Sequence, residues 1–298
     1  MIQKAYFEIT NVCNLHCSFC PGTQRKPHFV SVAEFEQIAQ KLAGKIPYLY
    51  LHLMGEPTLH PALAEILDIA HALGFKTILT TNGTTCRQTA PILLAKNRLF
   101  KVSISLHSFE ANHAAAADAS HLRSEYWNAC FAFADQAARE GIICALRLWN
   151  LENADASGQT QGEQNKNHAV LAQMKQYFGS EWQPHRCGMK LRDHLFLEYG
   201  ERFEWPNPDA NLQDRSTEEN GEALFCHGLR DQIGILCDGR VVPCCLDREG
   251  SVTLGNLLTD SLEDILHGEK AREFYRCFSQ RKAPSPLCSS CGFARRFR

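Results

Sequence analysis

Residues 13 to 20 read CNLHCSFC, three cysteines spaced C-x3-C-x2-C. Thiolates are soft ligands that suit iron–sulfur clusters or zinc. Structural zinc sites take four protein ligands, commonly in C-x2–4-C pairs. Three thiols on one loop with no fourth beside them suit a [4Fe–4S] cluster with three protein corners, leaving one iron open for chemistry. A zinc site completed by His16 or a distant residue is the alternative. A second set lies near the C-terminus: Cys226, Cys237, Cys244, Cys245, Cys277, Cys288 and Cys291. Cys288 and Cys291 form C-x2-C, which lets two thiolates grip one site. IGILCDGRVVPCC (233–245) reads as a β-hairpin turning at Asp238-Gly239, which would bring Cys244 back towards Cys226. Cys226, Cys244, Cys288 and Cys291 would then close a full [4Fe–4S] site with no open corner. A zinc knob on the same four is the alternative. Cys237 is a rival ligand, and Cys245 should point to the opposite strand face from Cys244. Cys86, Cys130, Cys144, Cys187 and Cys277 lack partners and read as small packing residues.

The bulk numbers fit this chemistry. The chain has 298 residues, 44% hydrophobic and 21% charged, enough for one large domain or one domain with a small appendage. A net charge of -2 gives no strongly basic balance that would point to nucleic acid as the main partner. No run of about 18 apolar residues spans a membrane, and MIQKAYFEIT is no signal peptide, so a cytoplasmic protein is expected. Fourteen cysteines in a reducing compartment mean metal or catalysis rather than disulfides.

These residues need a frame, and strand-like and helix-like stretches alternate through the first half. Strand candidates are AYFEI (5–9), YLYLHL (48–53), KTILT (76–80), KVSISL (101–106) and IICALRLW (142–149). Ser31 and Glu34 make a capping box for the first helix. Pro61 suits the first turn of the next, and Gly74 its end. Repeated β-then-α units imply a parallel sheet with helices outside it. Two polar stretches interrupt the pattern, 152–168 and 204–222, and the second reads as a domain boundary. The expected organisation is a core over 1–203, a linker over 204–225 and a cluster domain over 226–298. The cysteine loop follows the first strand, MGEP (54–57) the second and TNG (81–83) the third. Ser105, His107 and Ser108 close the fourth, and Arg147 and Asn150 end the fifth. Strand C-terminal ends share one side of an α/β barrel or sheet, the side where ligands bind.

C-x3-C-x2-C after the first strand and MGEP after the second resemble the radical S-adenosylmethionine (SAM) superfamily, over roughly residues 5 to 150. The resemblance implies a partial (β/α)6 barrel. It implies that Cys13, Cys17 and Cys20 hold three irons while the amino and carboxylate groups of SAM chelate the fourth. It implies SAM contacts from Phe19, Gly55, Glu56, Pro57, Asn82, Ser105 and Arg147, with Arg123 a rival to Arg147. The C-terminal pattern resembles the SPASM/twitch extensions of the same enzymes, closer to the twitch form with one auxiliary [4Fe–4S] cluster. The family's GxIxGxxE signature for the fifth strand is not evident.

The expected reaction is hydrogen-atom abstraction from a bound substrate by a 5′-deoxyadenosyl radical. The auxiliary cluster would accept an electron or hold the substrate. Cofactors would be two [4Fe–4S] clusters and SAM, and the electron donor a flavodoxin or ferredoxin. The substrate would be a peptide or a small molecule. The first strand begins at about residue 5, leaving no peptide-recognition segment before it, although a separate protein could supply one. His107, His121, Asp193 and Glu198 are candidate proton acceptors. RNA modification and a non-catalytic iron–sulfur protein are the lesser alternatives.

Overall fold

The computed structural model describes residues 2–96, 98–109, 119–151, 164–201, 203–207 and 226–294. Asn150 belongs to the fifth strand by its backbone. Most of the polar stretch 152–168, and 208–225 of the expected linker, lie outside the described residues.

The strands are β1 (Lys4–Phe7), β2 (Tyr48–Tyr50), β3 (Lys76–Thr81), β4 (Lys101–Ser105), β5 (Ile143–Leu151), β6 (Gln183–His185), β7 (Gly188–Arg192), β8 (Leu195–Glu201), β9 (Gln232–Ile235), β10 (Arg240–Val242) and β11 (Gly255–Asn256). The helices are α1 (Val32–Leu42), α2 (Leu63–Ala72), α3 (Cys86–Leu93), α4 (Ala119–Arg139), α5 (Gln164–Phe178), α6 (Leu262–His267), α7 (Glu269–Ser279) and α8 (Pro286–Ser289). One sheet carries all the strands, in the order β11-β10-β9-β1-β2-β3-β4-β5-β8-β7-β6. Six of them, β1 to β5 and β8, run parallel with helices between them, which is the partial (β/α)6 barrel. The sixth strand follows α5 and the antiparallel β6–β7 hairpin, which then folds back against β8. At the other edge β9 joins β1 in parallel, so the C-terminal part continues the same sheet. β10 returns antiparallel to β9 through Asp238-Gly239, where Gly239 has φ 83°.

Strand alternation separates two faces. Phe7, Leu49, Leu79 and Leu146 point to one and are fully buried. Phe7 stacks on Phe35 of α1, ring centroids 5.2 Å apart. Helix α1 buries Phe35, Ile38, Ala39 and Leu42, a one-sided apolar stripe. Its start carries the full capping box, with Ser31 Oγ accepting from the Glu34 amide and Glu34 accepting from Ser31. The second helix begins at Leu63 rather than Pro61, because Pro61 lies in the preceding turn. The other sheet face carries Tyr6, Tyr50, Thr80, Ser105 and Arg147, all only half-buried. No helix among the described residues is long and apolar enough to cross a membrane.

Phe35→Ala is expected to destabilise the protein by about 3–5 kcal/mol, since it empties a fully buried aromatic site. Urea unfolding of wild type and variant measures it.

Candidate functional site

The cysteine loop is a closed excursion from the end of β1. Thr10 and Phe29 pair at its base. Thr10 Oγ1 donates to the His28 carbonyl (2.8 Å), and Asn11 spans the loop through Lys26 O (2.9 Å) and His28 N (2.7 Å). Within it, the Cys20 amide donates to Cys17 O at 2.9 Å. Cys13, Cys17 and Cys20 line one cavity of about 430 Å3, and Gly55, Glu56, Asn82, Ser105 and Arg147 line it too. The strand ends thus bring together what the spacing of the sequence separates.

Gly55 fits only as glycine. Its φ is 74°, and a Cβ there would collide with the Thr10 carbonyl oxygen and the Asn11 backbone. This close approach lets the Glu56 amide donate to Val12 O at 2.8 Å, pinning the MGEP loop to the cysteine loop. The Glu56 side chain is buried. It accepts from Thr58 N (3.1 Å), Thr58 Oγ1 (2.6 Å) and Asn82 N (2.6 Å), so it braces the ends of β2 and β3. Burial raises its pKa, and these hydrogen bonds oppose the rise. Pro57 opens a short 3-10 turn, Pro57–Leu59, behind the cavity wall. Asn82 donates to Asn14 Oδ1 in the cysteine loop (2.9 Å) and accepts from Thr84 N (2.9 Å), so it ties the third strand end to the same loop.

Phe19 packs against His107 (5.0 Å between centroids), and its carbonyl accepts from Trp205 Nε1 at 3.1 Å. Arg147 lines the cavity, whereas Arg123 lies over the Trp127 ring, outside the cavity lining. Arg147 Nε is 3.9 Å from Glu198, which Lys101 holds at 2.6 Å. The four candidate bases separate. His107 lines the cavity and Glu198 faces Arg147. His121 and Asp193 are exposed surface residues, paired with Glu125 and Lys190.

Several site residues escaped the sequence reading. His52 lines the cavity within a cluster of rings, 5.5 Å from Tyr6 and 5.8 Å from Tyr50. Its Nε2 meets Thr80 Oγ1 at 3.3 Å, and its Nδ1 is shut off from solvent. Burial, with the Arg147 charge second, pushes its pKa down to about 3, so the ring is neutral. Glu8, fully buried, forms a fork-to-fork pair with Arg25 of the cysteine loop, both N···O distances 2.7 Å. Glu8 also accepts from Met54 N (3.1 Å) and Cys237 N (3.3 Å). Arg25 donates to Arg248 O (2.7 Å) and to Cys237 Sγ (3.4 Å).

Cys226, Cys244, Cys288 and Cys291 line a second cavity, walled otherwise by apolar groups such as Pro243, Phe278 and Leu287. Cys237 does not line it, because Arg25 and Glu8 hold it elsewhere. Cys245 does not line this cavity. Cys86, Cys130 and Cys144 are buried, but Cys187 is exposed in the β6–β7 turn rather than packed. Among the described residues no three His, Cys, Asp or Glu side chains are gathered around a single-ion position. The donor sets still fit iron–sulfur clusters in kind: three soft thiols around an open cavity, and four around a closed apolar one. Burial pushes Cys288 up to about 12 and raises Cys13, Cys226 and Cys244. Such thiols give up their protons when a metal replaces them.

Residues 7–152 match the radical SAM superfamily, and residues 226–292 match the SPASM iron–sulfur cluster-binding domain. The chain is 26% identical over 276 residues to the sporulation killing factor maturation protein SkfB of Bacillus subtilis, covering 89% of this chain and 64% of SkfB. It is 36% identical over 91 residues to the 7-carboxy-7-deazaguanine synthase of Halobacterium salinarum, covering 30% of this chain and 35% of that one. The chain thus spans less than two thirds of the length of either relative. In fold it is similar to anSMEcpe with bound AdoMet (TM-score 0.61, 13% identity, 98% of this chain and 89% of that one). It is similar also to BtrN in complex with AdoMet and 2-DOIA (0.56, 16%, 98% and 93%). A third likeness is Streptococcus suis SuiB bound to precursor peptide SuiA (0.51, 16%, 99% and 70%).

Glu8→Ala is expected to cost about 3–5 kcal/mol by stranding the Arg25 charge. The double variant Glu8→Leu/Arg25→Met should recover most of it, read by urea unfolding of all three proteins. His52 is neutral when folded and regains an ordinary pKa when unfolded, so its contribution is complete above about pH 6.5 and falls as pH drops towards 3. Between pH 7.5 and 5 wild type should lose about 2 kcal/mol relative to His52→Gln, measured by urea unfolding at each pH.

Proposed function

We propose that this chain, which belongs to the radical SAM superfamily and carries a C-terminal SPASM iron–sulfur domain, is a peptide-modifying oxidase that removes a hydrogen atom from an unactivated carbon of its substrate. The observation that carries the reading is the convergence of Cys13, Cys17, Cys20, Gly55, Glu56 and Arg147 on one cavity, with a four-thiol cavity on the same sheet. Cys13, Cys17 and Cys20 would hold the first cluster, and Cys226, Cys244, Cys288 and Cys291 the second. Bound there, the first cluster would supply the one electron for reductive cleavage of SAM and so the means of hydrogen-atom abstraction.

The protein's own part is positioning and shielding. The backbone around Gly55 would offer carbonyl oxygens to the SAM ammonium, and Glu56 sets that loop's shape. Arg147 would meet the SAM carboxylate: it lines the cavity, and Glu198 has Lys101 as its closer partner. Phe19, held by Trp205 and His107, would give the adenine an apolar wall. Tyr6, Tyr50 and neutral His52 line the inner face beyond. The four C-terminal thiols would place an electron acceptor beside the substrate, making the net change an oxidation.

One observation favours a peptide. SkfB is named a maturation protein, and its similarity runs across 89% of this chain. A small-molecule dehydrogenase is the second reading, favoured by the BtrN-like fold across 93% of that chain.

Anaerobically reconstituted protein with SAM and dithionite is expected to form 5′-deoxyadenosine and methionine, while the Cys13→Ala/Cys17→Ala/Cys20→Ala variant forms neither. Deuterium from a labelled peptide should appear in 5′-deoxyadenosine. Transfer only from small alcohols would shift the assignment to the second reading.

A further inference from the structure

We propose that the exposed face of α7, with the turn that ends it, is the docking surface for an acidic one-electron carrier protein. The inference rests on the iron–sulfur reading above and names a partner and its place. Helix α7 buries Ala271, Phe274 and Phe278, and Phe278 lines the four-cysteine cavity. The opposite side is strongly basic. Lys270, Arg272, Arg276, Arg281 and Lys282 are all exposed, and Glu269 and Glu273 are the acidic residues of that segment. On a chain of net charge -2, this is a local concentration of positive charge.

The patch is also ordered. Lys270 Nζ donates to Thr253 O (3.3 Å) and Arg272 Nε to His267 O (2.6 Å), so carbonyls orient these cations without cancelling their charge. Tyr275 is 52% exposed, and the Arg230 guanidinium lies 5.9 Å from its ring centroid. Arg230 also donates to the Phe278 carbonyl at 3.1 Å, which links the patch to the cavity wall. Exposed tyrosine among arginines is the composition of an interface anchor. The helix ends on Arg281 at φ 58°, in the left-handed region where glycine or asparagine is favoured. The strain is borne by a residue that adds charge to the patch.

Position selects the occupant. None of these residues lines the larger cavity, so a partner seated here is not one being presented to SAM. It lies instead one buried phenylalanine away from the four thiols. Such a partner needs proximity to an iron–sulfur site and nothing else, which describes a one-electron carrier. The four thiols would hold the group that takes one electron from the substrate; that electron would then leave for the oxidised carrier, which is reduced by one. Charge complementarity suits this brief encounter because it raises association rate more than lifetime.

The test uses reconstituted holoenzyme and a flavodoxin as the probe. The patch variant is Lys270→Glu/Arg276→Glu/Lys282→Glu, and the control is Arg87→Glu/Lys96→Glu/Lys175→Glu on other exposed surface. Flavodoxin binding is measured at 50 and 300 mM salt, and 5′-deoxyadenosine formation is measured with flavodoxin and with dithionite. The expected result is a tenfold or greater loss of flavodoxin affinity in the patch variant alone. Its salt dependence should flatten and its dithionite-driven rate should match wild type. Equal flavodoxin affinity in patch and control variants overturns the proposal. Tighter patch-dependent binding of an RNA oligomer or an acidic peptide than of flavodoxin overturns it too. If wild type forms no 5′-deoxyadenosine with dithionite, the catalytic reading fails, and the binding measurement still decides the surface.

Discussion

A carboxylate with no exposed surface, Glu8, facing a nearly buried guanidinium, Arg25, is the contact on which the assembly turns. Burying two charges is costly, and the cost is met only where geometry and hydrogen bonding are complete. Here they are. The pair is bidentate, Glu8 takes two further amides, and Arg25 uses its Nε on a carbonyl. The partners come from the end of β1, the cysteine loop, the MGEP loop and the C-terminal hairpin. One buried ion pair therefore fixes the loop that carries the first thiols against the segment that carries the second set. A loop bearing Cys13, Cys17 and Cys20 has few apolar contacts of its own, since Cys13 and Cys20 are exposed. It gains definition from Arg25, the Thr10–Phe29 pairing and the tight seat of Gly55.

The sheet extends the same logic. Because β9 pairs in parallel with β1, the C-terminal domain enters by continuing the barrel's own ladder. The first thiol set follows the C-terminal end of β1, while the antiparallel return of β10 carries Cys244 back towards Cys226 and the start of β9. The larger cavity is open and mixed in character, as a site that exchanges SAM and substrate must be. The smaller is apolar, and a four-thiol site with no open corner needs no entry of substrate. Electrostatics separates them further. Cys244 and Cys288 are half-buried in that apolar setting, and desolvation raises the pKa of both, a cost that metal binding would offset by displacing the protons.

Much of this was legible in the sequence because thiol spacing and strand-end motifs are local signals. C-x3-C-x2-C, MGEP and the C-terminal C-x2-C each announce their chemistry within a few residues, and alternation found β1 to β5. The sixth barrel strand was missed. LFLEYGE shows its period of two through Leu195 and Leu197, but it follows a short hairpin rather than a helix, so the β-then-α rhythm gave no cue. Glu8 and Arg25 were invisible for another reason. A charged residue beside a strand reads as solvated unless its partner is known, and this partner is 17 positions away across a loop. His52 lies two residues beyond β2, and only the curl of the sheet encloses it. His121 and Asp193 drew notice by residue type alone, and type says nothing about which side of the fold a residue faces.

The central claim is that the two thiol sets hold two iron–sulfur clusters, and elemental analysis tests it most directly. Iron and sulfide would be measured on anaerobically purified wild type and on the variant lacking Cys13, Cys17 and Cys20. The account predicts about eight irons in wild type and about four in the variant, each with matching sulfide. About four irons in wild type and none in the variant, with zinc in both, would contradict it. The C-terminal site would then be structural, and the proposed oxidation would lose its electron acceptor.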